Sequence, residues 1–193
     1  MFNKNLATTV ATVGLMMTVS ISAAQANPNA MTWTVLGSPL QLGGKTYVLF
    51  GADYSPSGIT NPYVGDTSIN EYRSLLCIKK NPLLPAPVGL PPSYLTPGGA
   101  TAGSWSGGTV LVIPNIQGTQ LTSLAVANRI CNQVGQIVRG TPGYRMAEFH
   151  DGTGIYSGWS FWTEAYDYIN GLAQSPPTRY WVYINDQPAA NPW

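Results

Sequence analysis

Two cysteines more than fifty residues apart place the tightest constraint on how this chain folds. Cys77 lies in the unbroken apolar run Leu75-Leu76-Cys77-Ile78, which reads as a strand buried on both faces. Cys131 lies in the clearest helical pattern of the sequence, from Thr122 or Ser123 to about Val138. Leu124, Ala127, Ile130, Cys131, Val134, Ile137 and Val138 recur on one face of that helix, and Asn128, Arg129, Asn132, Gln133 and Gln136 on the other. Cys131 therefore faces the core, where it can meet Cys77 on a sheet beneath. One disulfide between them is the economical reading in an oxidising compartment. Two separately buried thiols are the alternative, since cysteine is often a small core residue. Metal ligation is the weakest reading, because the chain has no other cysteine and one histidine to complete a tetrahedral set.

The N-terminus supplies the compartment. Lys4 gives a short positive region, Leu6 to Ile21 is apolar or small, and Ala24-Gln25-Ala26 is a small-x-small cleavage pattern. Residues 1–26 are thus expected to be a signal peptide, leaving 27–193 as one secreted or periplasmic domain. After signal cleavage no later apolar run reaches the roughly 18 residues of a spanning helix, so no membrane insertion is expected. Nine basic and eight acidic side chains, with Lys4 in the expected leader, leave the mature chain formally neutral. That balance offers no electrostatic footprint for nucleic acid.

The remaining text is β-like and heavily punctuated. Thr32 to Tyr54 reads as a hairpin turning at Gly43-Gly44, and residues 55–70 as a loop. Residues 81–108 hold six of the sixteen prolines and read as an ordered surface excursion. Thr109 to Ile113 forms a strand ended by Pro114; Tyr144 to Phe149, Gly158 to Trp162 and Arg179 to Ile184 form further strands, with a short helix over Thr163 to Leu172. The class is α+β: a single β-rich domain with one main amphipathic helix, at about 122–138, and long ordered loops.

Residues 144–193 concentrate the polar chemistry, with Glu148, Asp151, Glu164, Asp167, Asp186 and His150. On a strand, Glu148 and His150 share a face and Phe149 takes the other, which offers an acid/base pair. No Gly-x-Ser-x-Gly elbow supports a nucleophilic scheme, and the carboxylate spacing selects no glycosidase pair. Asp151-Gly152-Thr153-Gly154 and Asn185-Asp186-Gln187 carry oxygen ligands for Ca²⁺, but neither follows a recognised motif, and ordinary turn chemistry accounts for both. No cofactor is expected.

Asn128-Arg129-Ile130-Cys131, the run Gly143 to Gly152, Gly158-Trp159-Ser160-Phe161-Trp162 and Arg179 to Pro188 resemble a set of secreted bacterial domains of unknown function, over roughly 74–193. The order of inward helix cysteine, Gly-Tyr-Arg-Met strand, Trp-rich middle and terminal Trp strand also resembles C-type-lectin-like domains. That resemblance implies a fold; the Glu-Pro-Asn type triplet such domains use for sugar is absent here.

Low charge with abundant aromatic and amide side chains suits an extracytoplasmic, non-catalytic binding module for carbohydrate or another cell-surface component. Aromatic faces stack on sugar C–H surfaces while amides and carboxylates meet hydroxyls. Trp159, Trp162, Trp181 and Asp186 are the expected contacts. The alternatives are a self-assembling structural or adhesive protein, and a hydrolase using Glu148, His150 and Asp151.

Overall fold

The computed structural model describes residues 28–53, 60–92, 104–152, 158–166 and 178–193. The expected leader, Asp167, and the bulk of the expected helix at 163–172 lie outside them. The strands are β1 (Asn29–Ala30), β2 (Thr32–Val35), β3 (Leu40–Leu42), β4 (Lys45–Gly51), β5 (Thr67–Ser68), β6 (Tyr72–Lys80), β7 (Trp105–Gln117), β8 (Arg145–Met146), β9 (Ser160–Ala165) and β10 (Tyr180–Trp181), with one α-helix, α1 (Leu124–Arg139). Six strands pair in the order β2, β4, β9, β7, β6, β10, and β10 pairs again with β2, closing a barrel-like ring. The β6/β10 and β7/β9 pairings are parallel and the other pairings in the ring antiparallel.

Alternation within each strand divides the apolar residues between the inside of the ring and two covered outer faces. Val48, Phe50, Leu76, Ile78, Val110, Phe161 and Tyr180 fill the interior with Trp33 and Phe149. Leu75, Cys77, Leu111, Met146 and Trp181 point outward and are buried beneath α1. Tyr47, Leu49, Trp105 and Trp162 point outward elsewhere, where Leu84 and Leu90 of the proline-rich excursion cover them. The β6 run is therefore buried on both faces, as its sequence implies.

The local signals act where expected. Gly43 and Gly44 take φ of +58° and +76°, the two positive values a two-residue hairpin turn requires, and join β3 to β4. A β2–β4 pairing runs alongside. The Ser123 hydroxyl accepts the Val126 N–H at 3.2 Å to cap α1, and Gly140 closes it in the left-handed conformation at φ +63°.

Three expectations are corrected. The strand expected at 109–113 runs from Trp105 through Pro114 to Gln117, because β7 bulges at both places. Pro114 and Asn115, the latter at φ +58°, sit where the register with β6 slips, so the missing proline N–H breaks no ladder bond. Residues 163–165 are strand, not the start of a helix, since β9 is held between β4 and β7. The stretch at 144–149 is a strand only over Arg145–Met146 and then turns, with the Glu148 carbonyl accepting the Asp151 N–H at 3.0 Å.

The docked stripe of α1 is Ala127, Cys131 and Gly135, three small residues that let the helix approach closely. Ile137 is 83% exposed, about 120° around the helix from Cys131, and Val138 is 55% exposed in the last turn. Both depart from the expected inward face. Two polar-face residues serve the sheet margin instead: Asn128 Oδ1 accepts the Met146 N–H at 2.9 Å and Asn132 Oδ1 the Gly143 N–H at 2.6 Å. A Cβ on Gly135 would lie 2.3 Å from Cδ2 of the buried Tyr144 ring. Gly135→Ala should therefore destabilise the protein by about 1–2 kcal/mol, since overpacking exceeds the ~1 kcal/mol gain in helix propensity. Urea unfolding checks this; a stabilised variant would show that Tyr144 yields freely.

Cys77 and Cys131 form a disulfide with Cα atoms 5.5 Å apart. Such a bond belongs to an oxidising compartment. No helix among the described residues is long and apolar enough to cross a membrane.

Candidate functional site

The segment Arg145 to Asp151 leaves β6 and wraps one margin of the ring. Phe149 goes into the interior, and the polar groups on either side of it form one connected network. Arg145 clamps Asp151 with both terminal nitrogens, Nη1 to Oδ2 at 3.0 Å and Nη2 to Oδ1. Asp151 Oδ2 also accepts the Glu148 N–H at 2.7 Å. Lys80 Nζ donates to the Asp151 carbonyl at 2.8 Å and stands 3.6 Å from its Oδ1. Burial pulls the Arg145 pKa down, but the hydrogen bond and charge of Asp151 outweigh it and hold the guanidinium above its ordinary value. Burial likewise pushes the nearby Tyr183 phenol up from its ordinary value.

Glu148 is the second centre. Its Oε2 accepts the His150 N–H at 2.6 Å, and its Oε1 lies 3.0 Å from His150 Nδ1 and accepts the Asn185 N–H at 3.2 Å. The expected contact of Glu148 with His150 is thus present, although a turn makes it and not a strand. Both carboxylates are buried and occupied by N–H groups or guanidinium, whereas the His150 side chain is 38% exposed. Their geometry holds the turn.

The turn gathers its neighbours into a rim. Asn185, bonded to Glu148, precedes the exposed Asp186. On the other side the Phe149 ring packs at 4.9 Å against His150 and at 4.8 Å, edge to face, against Trp159. Trp159 is partly exposed and adopts φ +62°, rare for a bulky residue. Its carbonyl accepts the Ala52 N–H at 2.8 Å, which ties this conformation to the end of β4.

The other two expected contact tryptophans are placed in packing. Trp162 is 3% exposed and its indole N–H donates to the Pro91 carbonyl at 3.0 Å. Trp181 is fully buried, with its indole N–H on the Ile116 carbonyl at 2.9 Å. Neither presents a face to a ligand in this conformation, because the outside of the ring is covered where they stand. Of the remaining carboxylates, Glu164 pairs with Lys45 at 2.8 Å. Among the described residues no group of three or more His, Cys, Asp or Glu side chains is assembled to hold a metal ion, and the oxygens of Asp151 are engaged as described.

Sequence reading missed a second network. Arg179, just before β10, reaches Thr32 Oγ1 (2.7 Å), Thr60 Oγ1 (3.0 Å), Asp53 Oδ2 (3.4 Å) and Asp66 Oδ1 (3.4 Å). The only signal available was an arginine at the mouth of an otherwise apolar strand in a chain poor in charge.

The chain matches no family model, no curated protein and no solved structure.

Proposed function

We propose that this protein is an extracytoplasmic, non-catalytic binding module that takes carbohydrate or another cell-surface component along the rim of Trp159, His150 and Asn185-Asp186. The observation that carries the reading is Trp159 itself: a partly exposed indole in a left-handed backbone conformation, braced by Phe149 and by the end of β4. Such a conformation costs about 1–3 kcal/mol and persists where the surroundings over-determine it, which is common at ligand sites. The aromatic face suits sugar C–H surfaces, and the flanking imidazole, amide and carboxylate suit hydroxyls. Occupied carboxylates at Glu148 and Asp151 weigh against the hydrolase reading. The disulfide supports a periplasmic or secreted location.

The test is a glycan and polysaccharide binding screen of the purified protein, in parallel with calcium and with chelator. Trp159→Ala should weaken the binding about tenfold or more while the folded signal is retained. A clean negative in both buffers, or binding unchanged in Trp159→Ala, would remove the reading. Self-association is the second reading, favoured by the exposure of Leu83 (87%), Val88 (98%) and Ile137 (83%). Sedimentation showing only monomer at high concentration would dispose of it.

A further inference from the structure

A separate concavity lies at the base of the proline-rich excursion, where the chain leaves β6 and returns as β7. It has a volume of about 490 Å³, within the range of small-molecule sites, and its walls are Pro82, Leu84, Pro85, Ala86 and the indole of Trp105. Its polar lining is Lys80 and Ser106.

The Trp105 N–H is taken by the Leu84 carbonyl at 3.0 Å, and the Gly107 carbonyl already accepts the Asn81 N–H at 2.7 Å. Ser106 is fully buried and its Oγ accepts the Gly108 N–H at 3.1 Å, so it is not the group a ligand would meet. The Lys80 ammonium carries three protons; one is on the Asp151 carbonyl, and its ion pair with Asp151 Oδ1 is long, at 3.6 Å. The Lys80 side chain is 33% exposed, so its ammonium remains within reach of a ligand. Among the described residues no carboxylate lines the groove. Apolar walls beside a cation call for an apolar body that carries an anionic group.

We infer that this groove binds a small amphipathic anion, with its apolar body against Leu84, Ala86 and the prolines and its acidic group toward Lys80. The site is independent of the rim at Trp159, although Lys80 touches Asp151 of the neighbouring turn.

The probes are anilinonaphthalene sulfonate, a fluorescent aromatic anion, and phenylnaphthylamine, a comparable aromatic body without the charge. The sulfonate should bind the native protein with a stoichiometry of one. Ala86→Trp, at an exposed loop position, should fill the groove and abolish binding of both probes at unchanged thermal stability. Lys80→Gln should weaken the sulfonate roughly tenfold, the loss of one charge-assisted contact, and leave the neutral probe unchanged. Trp159→Ala should alter neither. Absence of sulfonate binding to the native protein, binding that survives Ala86→Trp, or equal loss of both probes in Lys80→Gln would each overturn the assignment. None of these results bears on glycan binding at the rim.

Discussion

Arg179→Ala is expected to destabilise the fold by about 3 kcal/mol or more, the largest single-residue effect in the molecule outside the interior. The Arg179 side chain is 11% exposed and the Asp66 side chain 1%, so the charge left behind has little access to water. Asp66 also accepts the N–H groups of Thr32 and Asn61, each at 3.1 Å, and the hydroxyls of Thr32 and Thr67. Without the guanidinium this buried carboxylate is left with no cation beside it among the described residues. The Asp53 arm contributes less, because that carboxylate is 22% exposed against 1% for Asp66. The cluster also has a topological role. It ties the residue entering β10 to β2 and to the chain on either side of residues 54–59, at the seam where β10 closes the ring. Loss of the arginine should therefore lower the midpoint of urea unfolding without changing its slope. A double-mutant cycle separates the pair from general damage: Asp66→Asn should cost clearly less in the Arg179→Ala background than in the native protein. Additive losses would mean that the two residues act independently, and the closure argument would fall.

The features legible in the sequence are those set by neighbours in the chain. Ser123, Gly140 and a 3.6-residue period specify α1, and Gly43-Gly44 specify the turn between β3 and β4. The closure of the ring rests on the parallel pairings of β6 with β10 and β7 with β9, which join segments far apart in sequence. Periodicity carries no information about which strands become partners. The misassigned tryptophans have a related cause. In a half-solvated sheet, alternation tells the buried face from the wet one. Here α1 and the proline-rich excursion cover the outside of the ring, so Trp181 and Trp162 point outward and are still buried. The Glu148–His150 contact was foreseeable from proximity alone. Its consequence was not, because the N–H groups and guanidinium that occupy both carboxylates are arranged by the turn and by Arg145 and Asn185.

Removing the disulfide with Cys77→Ala and Cys131→Ala together should cost about 4 kcal/mol by the chain-entropy estimate for a loop of this length. In a domain of this size that corresponds to a fall in melting temperature on the order of 10 °C. The bond joins the middle of β6 to the docked face of α1, whose fully buried residues are all small. The fully buried α1 residues, Ala127, Cys131 and Gly135, contribute little side-chain area, and Ile130 and Val134 add only partly buried contacts, so the tether reinforces a modest packing surface. This predicts a loss that is unevenly distributed. Hydrogen exchange should accelerate first in α1 and in the β8 edge that Asn128 caps, while β4 and β9 on the far side of the ring keep most of their protection. Reduction of the native protein should reproduce the pattern, since it removes the same constraint without changing side-chain volume. Uniform loss of protection around the ring would show that the bond stabilises the domain as one cooperative unit, and that the helix is held chiefly by its packing.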